Sequence, residues 1–351
     1  MPARAQALSA ETPPMEARQV AELPEGDMWQ FEPKWDGFRC LAFRDGGGVA
    51  LRSRSGKDLG RYFPEIVAAL QASDARRFVL DGELVIPAGR ELSFEALQAR
   101  LHPAETRIRR PAAETPAAYM LFDLLSADGR TLLDAPLIRR REALEALFPA
   151  VSGPSVKLSP YSRSRADAER WLRRAGGGAL DGVVAKRLDG RYEPGERAML
   201  KVKCLRTADC VVGGFRYAAD ARSVGSLLLG LYDDSGLLNH VGFTSGIPVK
   251  ERPSLTRRLE ALRGEGFTGS ARGGPSRWST ERSTEWQPLT PDLVVEVRYD
   301  HVTGDRFRHG TRLLRWRPDK APRQCTMDQL RQEARPDDLA RLIGMKTAAR
   351  A

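Results

Sequence analysis

The chain changes character near residue 206, and that change limits the folds open to it. Upstream, apolar runs that read as strands (38–43, 49–53, 78–86 and 119–125) alternate with stretches such as 65–71 and 94–101, whose apolar residues recur at helical spacing. Helix-like segments at 139–147 and 166–175 precede two further strand candidates, 182–187 and 199–203. The run Gly176-Gly177-Gly178 reads as a helix terminator and loop, because it lacks the Gly-Lys-Ser/Thr ending of a phosphate loop. Downstream come short β-type runs at 210–217, 224–232, 238–244 and 293–299, and a shorter one at 306–308. A single helix-like segment at 254–263, with Leu255, Leu259 and Leu262 on one face, and a Gly/Ser/Arg-rich loop at 269–284 interrupt them. Many short strands with one interposed helix is the pattern of a small closed barrel such as an OB-fold. The expectation is therefore an α+β chain with an irregular lead-in at 1–27, a mixed domain at 28–205, a barrel at 206–326 and a helical or disordered tail at 327–351.

Lysine is used sparingly. Of the 56 basic residues only nine are lysine, at positions 34, 57, 157, 186, 201, 203, 250, 320 and 346. A guanidinium stays protonated, whereas an amine that loses its proton can attack an electrophile, and cationic neighbours or desolvation favour that neutral form. Lys34, in the run Glu32-Pro33-Lys34-Trp35-Asp36-Gly37-Phe38-Arg39, is thus a candidate nucleophile. A genome rich in G and C also favours arginine, and a lone Lys-x-Asp-Gly also fits a surface turn, so these eight residues do not decide the matter.

Composition narrows the class of partner. A length of 351 residues fits two domains, and a hydrophobic fraction of 41% is enough for packed cores. No apolar run is long enough to span a bilayer, and residues 1–20 carry charges and prolines in place of a signal sequence. Cys40, Cys204, Cys210 and Cys325 form no C-x-x-C pair, which argues against a zinc module or a disulfide scaffold and fits a reducing cytoplasm. The net charge of +10 and the pI near 9.7 favour a polyanionic partner, although a solvated basic surface gives the same numbers.

Several lysine- and acid-bearing clusters follow one another in a fixed order. After the Lys34 run come Ser53-Arg54-Ser55-Gly56-Lys57, Leu80-Asp81-Gly82-Glu83, Leu121-Phe122-Asp123, Asp181-Gly182-Val183-Val184-Ala185-Lys186, Leu200-Lys201-Val202-Lys203 and Arg317-Pro318-Asp319-Lys320. Each has a bland reading alone: Asp-Gly is a common turn, and Lys-x-Lys puts two lysines on one strand face. Together, in this order, they resemble motifs I, Ia, III, IIIa, IV, V and VI of the nucleotidyltransferase superfamily of ATP-dependent DNA ligases, capping enzymes and RNA ligases. The likeness runs from about Phe31 to Cys325. It is nearest to bacterial ligase C and the ligase module of ligase D, supported by Arg-Tyr-Phe-Pro-Glu (61–65), Leu-Arg-Thr-Ala-Asp-Cys-Val-Val (205–212) and Gly-Ser-Leu-Leu-Leu-Gly (225–230).

The resemblance implies a nucleotidyltransferase domain of antiparallel sheets and helices followed by an OB-fold barrel, and a role for each matched position. Lys34 would attack the α-phosphate of ATP to give a lysyl-AMP phosphoramidate, with Lys201, Lys203 and Mg²⁺ stabilising charge on the phosphate. Glu32 would accept the adenine N6 amino group, Phe122 would stack on adenine and Val184 would close the other face. For the last two, plain core packing is an alternative. Arg39 and Arg54 would contact ribose and phosphate, Glu83 ribose or metal, and Lys186 the nucleotide. Asp181 stands where most relatives carry glutamate, one methylene longer, so it would reach a metal directly or through water, and Mn²⁺ is an alternative to Mg²⁺. Arg317 and Lys320 would orient the departing pyrophosphate.

The implied activity is three-step sealing of 5′-phosphate/3′-hydroxyl nicks in duplex DNA during repair. A soluble, monomeric enzyme of the bacterial cytoplasm and nucleoid is expected, with a repair primase-polymerase as a collaborator, since a large DNA-binding domain is not seen. An mRNA guanylyltransferase shares the nucleophile, but Glu32 suits the N6 donor of adenine better than the carbonyl of guanine. A non-catalytic nucleic-acid-binding protein of the same fold is the rival from another class.

Overall fold

The structure is a computed structural model, and it describes residues 8–88, 91–102, 104, 106–175, 180–218, 222–269 and 285–330. The glycine run 176–178, most of the 269–284 loop and the tail beyond 330 lie outside the described residues. The chain divides into two compact units after Cys204.

In the first unit the strands are β1 (Ala17–Gln19), β2 (Trp29–Trp35), β3 (Phe38–Asp45), β4 (Gly48–Ser53), β5 (Arg77–Val85), the short hairpin β6 (Pro87–Ala88) and β7 (Glu91–Leu92), β8 (Ala118–Ala127), β9 (Arg130–Thr131), β10 (Val156–Leu158), β11 (Leu180–Arg187) and β12 (Met199–Lys203). The helices are α1 (Pro64–Ala72), α2 (Phe94–Ala99), α3 (Thr106–Glu114), α4 (Leu137–Val151) and α5 (Arg165–Arg174). One sheet has the order β1-β12-β11-β2, and the other β10-β8-β5-β3-β4 with β9 on β8. Two expectations need correction. The lead-in is not wholly irregular, because β1 pairs with β12; and the sheets are not purely antiparallel, because β1–β12 and β10–β8 run parallel. Three-residue edge strands such as β1 are too short to carry a period in sequence, so only pairing with a longer neighbour defines them.

Gly37 makes the passage from β2 in one sheet to β3 in the other possible. A Cβ there would sit 2.2 Å from the carbonyl oxygen of Leu84, so the backbone crosses β5 only because no side chain is present. The core of the larger sheet gathers Leu80, Leu84, Tyr119, Leu121 and Leu124 against Ile66 and Leu70 of α1 and Leu144 of α4. α1 opens on a proline in its first turn, where the missing N–H costs nothing, and Ser93 caps α2 by accepting from the Ala96 N–H at 3.0 Å. Behind the smaller sheet, Phe31, Val183, Ala185 and Val202 pack on Ala168 of α5.

The second unit comprises β13 (Arg206–Tyr217), β14 (Val224–Tyr232), β15 (Leu238–Thr244), α6 (Arg252–Glu260), β16 (Gln287–Pro288), β17 (Val294–Tyr299), β18 (Val302–Thr303), β19 (Arg306–Phe307) and β20 (Arg312–Trp316). Its sheet order is β15-β14-β13-β17-β20, with β16 on β13. The two edges meet, since Thr311 donates its N–H to Phe243 at 3.0 Å and the Thr244 hydroxyl donates to the Thr311 carbonyl at 2.9 Å. That closure makes a barrel around Cys210, Val212, Phe215, Leu229, Val241 and Val295, with Leu259 of α6 fully buried against it. Residues 327–329 form a single tight turn whose Gln329 pairs with the backbone of Asp209.

One buried ion pair anchors the first unit. Asp123 and Arg140 are each 1% exposed and meet through two bonds of 2.8 and 3.0 Å, while Arg140 also donates to the carbonyls of Ala135 and Gly190. Arg140→Met leaves the carboxylate buried without its cation, and should lower the unfolding free energy by about 3–5 kcal/mol in a denaturant titration. Adding Asp123→Leu should restore much of that loss. Unchanged stability in the single variant would show that the pair is dispensable.

Candidate active site

The register of three strands assembles most of the site on one sheet face. Lys34 of β2, Gly182 of β11 and Lys203 of β12 stand in one row, and Glu32, Val184 and Lys201 in the next. Gln30 pairs with Lys186 in a third row. Because side chains alternate along a strand, all of these project to the same side, opposite the apolar layer on α5. Asp181 would alternate to the other side, but the register slips between Leu180 and Gly182 and leaves it as the extra residue of a bulge. Its Oδ2 accepts from Lys34 Nζ at 2.6 Å and lies 3.3 Å from Lys203 Nζ. A Cβ on Gly182 would fall 2.0 Å from the Val202 carbonyl oxygen, and its φ of +149° suits glycine, so no other residue fits between the two lysines.

The larger sheet supplies the facing wall. Arg39 of β3 is the register partner of Glu83 of β5. Phe122 of β8 is again the extra residue of a register slip, this time opposite Asp81 and Gly82. One cavity in this unit is lined by Lys34, Arg39, Arg54, Glu83, Phe122, Val184, Lys186 and Lys201. The Arg39 guanidinium and the Lys186 ammonium each lie 4.5 Å from the centre of the Phe122 ring. Arg39 is held by Asp81 through bonds of 2.6 and 2.7 Å, and the Tyr192 hydroxyl donates to the same carboxylate at 2.6 Å. Arg54 is mostly exposed, with its guanidinium 4.0 Å from Glu16.

Some expected residues stand apart from the cavity wall. Glu32 is buried with both oxygens engaged, one by Gln30 Nε2 at 2.8 Å and the other by Lys186 Nζ at 2.8 Å, and it is Lys186 that lines the cavity. Asp181 and Lys203 join the site through their ion pairs. Arg317 and Lys320 belong to the second unit, where they hold the two oxygens of Asp209 at 2.8 and 2.7 Å. Sequence reasoning missed Met15, Glu16 and Ala17, which line the cavity from the lead-in, and the Asp81–Tyr192 support of Arg39. Asp81 lies within a motif that drew attention to Glu83, but nothing in sequence joins it to Tyr192.

Electrostatics set two of these groups apart. Burial lowers the pKa of the Lys201 ammonium, and the nearby Lys34 and Lys203 lower it further, against Asp181 and Glu16. Desolvation pushes the Glu83 carboxyl up to about 7, although Arg39 and Lys34 act in the other direction. Among the described residues no three His, Cys, Asp or Glu side chains cluster to hold a metal ion.

Residues 11–203 match the family model for the ATP dependent DNA ligase domain, and residues 220–320 match that for the ATP dependent DNA ligase C terminal region. The chain belongs to the ATP-dependent DNA ligase family. It is 47% identical over 328 residues to DNA ligase C1 of Mycolicibacterium smegmatis, covering 90% of this chain and 93% of that protein. It is 32% identical to the multifunctional non-homologous end joining DNA repair protein LigD of Mycobacterium tuberculosis, over 87% of this chain and 38% of LigD. A solved Lig E DNA ligase shares the fold at a TM-score of 0.55 and 19% identity, covering 86% of this chain and all of that one. The chain is thus an enzyme, a DNA ligase that uses ATP, and the guanylyltransferase and non-catalytic alternatives are set aside.

The raised Glu83 pKa has a direction in stability. A carboxyl at about 7 in the fold and near 4.5 in its ordinary state binds its proton more tightly when folded. Its contribution is therefore full below pH 4.5 and lost as pH rises through 7. Wild type should lose stability relative to Glu83→Gln across that window in melts of the ATP-free protein. A stability difference independent of pH between 4.5 and 8 would contradict the desolvated carboxyl.

Proposed function

We propose that this ligase seals 5′-phosphate/3′-hydroxyl nicks in duplex DNA through a covalent AMP on Lys34. The observation that carries the assignment is the Lys34 amine, held at 2.6 Å by Asp181 in the wall of a cavity that also presents Phe122, Lys186, Lys201 and Arg39. In the first step Lys34 Nζ forms a bond to the α-phosphorus of ATP as the bond to pyrophosphate breaks. The AMP then passes to the 5′-phosphate of the nick, and the 3′-hydroxyl displaces it to close the strand. The Asp181 carboxylate positions the amine and, at hydrogen-bond distance, can take the proton that it loses. Lys201 and Lys203 meet the charge on the phosphate oxygens. Adenine lies between Phe122 and Val184, with the Glu32–Lys186 pair at its edge, and Arg39 and Arg54 serve the sugar and phosphates.

The carboxylates of Asp181 and Glu83 fit a hard divalent ion that binds through one or two protein oxygens and keeps the rest of its shell as water and phosphate. Such an ion, Mg²⁺ or Mn²⁺, would supply neutralisation of phosphate charge. For the second unit the assignment of Arg317 and Lys320 to the pyrophosphate rests on the motif Arg317-Pro318-Asp319-Lys320 alone. We place the enzyme in DNA repair, as a monomer in the bacterial cytoplasm and at the nucleoid, alongside a repair primase-polymerase. The name of the LigD relative supports the repair role, and among the described residues no helix is long and apolar enough to cross a membrane.

Substitution tests these roles. Lys34→Ala and Lys34→Arg should both abolish AMP labelling from ATP, since neither supplies an amine that can be neutral. Asp181→Asn should cost about 100-fold in sealing, and Asp181→Glu should retain activity. An Asp181→Asn enzyme sealing nicks at the wild-type rate would reduce Asp181 to a turn residue.

A further inference from the structure

Asp209 of β13 gathers the two cations that the proposed chemistry assigns to pyrophosphate. Its chain neighbours Ala208 and Cys210 both belong to the barrel core, so strand alternation turns the Asp209 side chain outward. There Oδ1 accepts from Arg317 Nη1 at 2.8 Å and Oδ2 from Lys320 Nζ at 2.7 Å. Both cations come from one turn. Pro318 occupies its second position, where a fixed φ suits the bend, and the Lys320 N–H donates to the Arg317 carbonyl at 3.2 Å. The turn is tied to the barrel, since the Arg317 N–H donates to the Val294 carbonyl at 2.8 Å. Gln329 holds the Asp209 backbone as well: its Oε1 accepts from the Asp209 N–H at 2.9 Å and its Nε2 donates to the Asp209 carbonyl at 3.0 Å.

This arrangement does something for the cations that the turn alone does not. Two like charges so close repel, and the carboxylate between them keeps them together. Asp319 takes the Nε and Nη2 edge of Arg317, at 3.0 and 2.8 Å, so the guanidinium is fixed in orientation too. The Asp209 side chain is 12% exposed, while those of Arg317 and Lys320 are 18% and 25% exposed, so the cations and not the carboxylate face outward. An ammonium has three donors and a guanidinium five, and Asp209 uses one of each, which leaves donors for a second anion. Long cationic side chains lose rotamer freedom when they grip a ligand, and here that ordering is already present in the fold.

We infer that Asp209 is a positioning residue for the first chemical step, holding Arg317 and Lys320 as one preorganised pair for pyrophosphate. The inference rests on the assignment of those two cations to pyrophosphate proposed above. The reverse of that step isolates the role. A pyrophosphate oxygen attacks the α-phosphorus of the AMP on Lys34, the N–P bond breaks, ATP forms, and the amine keeps the electron pair and takes up a proton. The test compares the full chain as wild type, Asp209→Asn, Asp209→Glu and Lys320→Ala, with inorganic pyrophosphate as the probe. In Asp209→Asn the amide keeps one acceptor and turns an NH₂ toward the other cation, so the pair parts. The pyrophosphate concentration that half-maximally discharges the AMP-enzyme should then rise on the order of tenfold or more, and adenylylation by ATP should slow by a similar factor. Sealing of a pre-adenylylated nick, which involves no pyrophosphate, should keep the wild-type rate. Asp209→Glu, with the same charge and both oxygens, should recover most of the loss. A carboxylate that only fastened the turn to the barrel would give no change, or the same loss in all three assays, and either result overturns the inference. Adenylylation of Lys320→Ala at the wild-type rate would instead remove the pyrophosphate assignment itself. A defect in Lys320→Ala with none in Asp209→Asn would leave that assignment standing and strike out Asp209 alone.

Discussion

A side chain at position 182 would drive its Cβ to 2.0 Å from the carbonyl oxygen of Val202, and this close approach is the constraint from which the site follows. Because β11 can lie that near β12, Lys34 and Lys203 face each other across a residue with no side chain. The bulge one position earlier turns the Asp181 carboxylate into the gap, where it offsets two ammonium charges that would otherwise repel. A single backbone irregularity thus sets the positions of Lys34, which we propose as the nucleophile, of its counter-ion Asp181 and of Lys203. A Cβ at 182 would disturb all three at once.

The opposite wall relies on a similar device. A register slip in the β5–β8 pairing brings Phe122 into the cavity, and the neighbouring Asp123 turns inward to Arg140. Asp81, two residues from Glu83, keeps the Arg39 guanidinium over the Phe122 ring with help from Tyr192. The cavity is cationic on several sides, and desolvation pushes the carboxyl of Glu83 in its wall up to about 7. Such a wall attracts a polyphosphate, and further positive charge would favour the ionised carboxylate.

Much of this was legible in sequence because the chemistry-bearing residues sit in local runs. Lys34, Asp181, Lys201 and Lys203, which the structure brings together, all lie within the ordered motifs, and strand periodicity predicts that residues two apart share a face. What sequence could not show depends on contacts between distant segments. β1 is three residues long and acquires its structure from β12; that pairing, with bonds from the Met15 N–H to the Tyr192 hydroxyl and from the Glu16 N–H to the Glu196 carbonyl, holds Met15 and Glu16 at the cavity. The Asp81–Tyr192 bond spans 111 positions, and the burial of Glu32 behind bonds to Gln30 and Lys186 is a matter of side-chain packing. Bulges are invisible as well, since one extra residue in a strand leaves its composition unchanged.

The central claim is that the amine of Lys34 carries AMP from ATP to the nick. Peptide mapping after incubation with α-labelled ATP, and separately with α-labelled GTP, followed by a chase with nicked duplex, tests it most directly. The account predicts label from ATP on the peptide containing Lys34, none from GTP, and transfer of that label to the DNA 5′-phosphate before the strand closes. Label on another lysine, or label on Lys34 that does not chase into DNA, would contradict it.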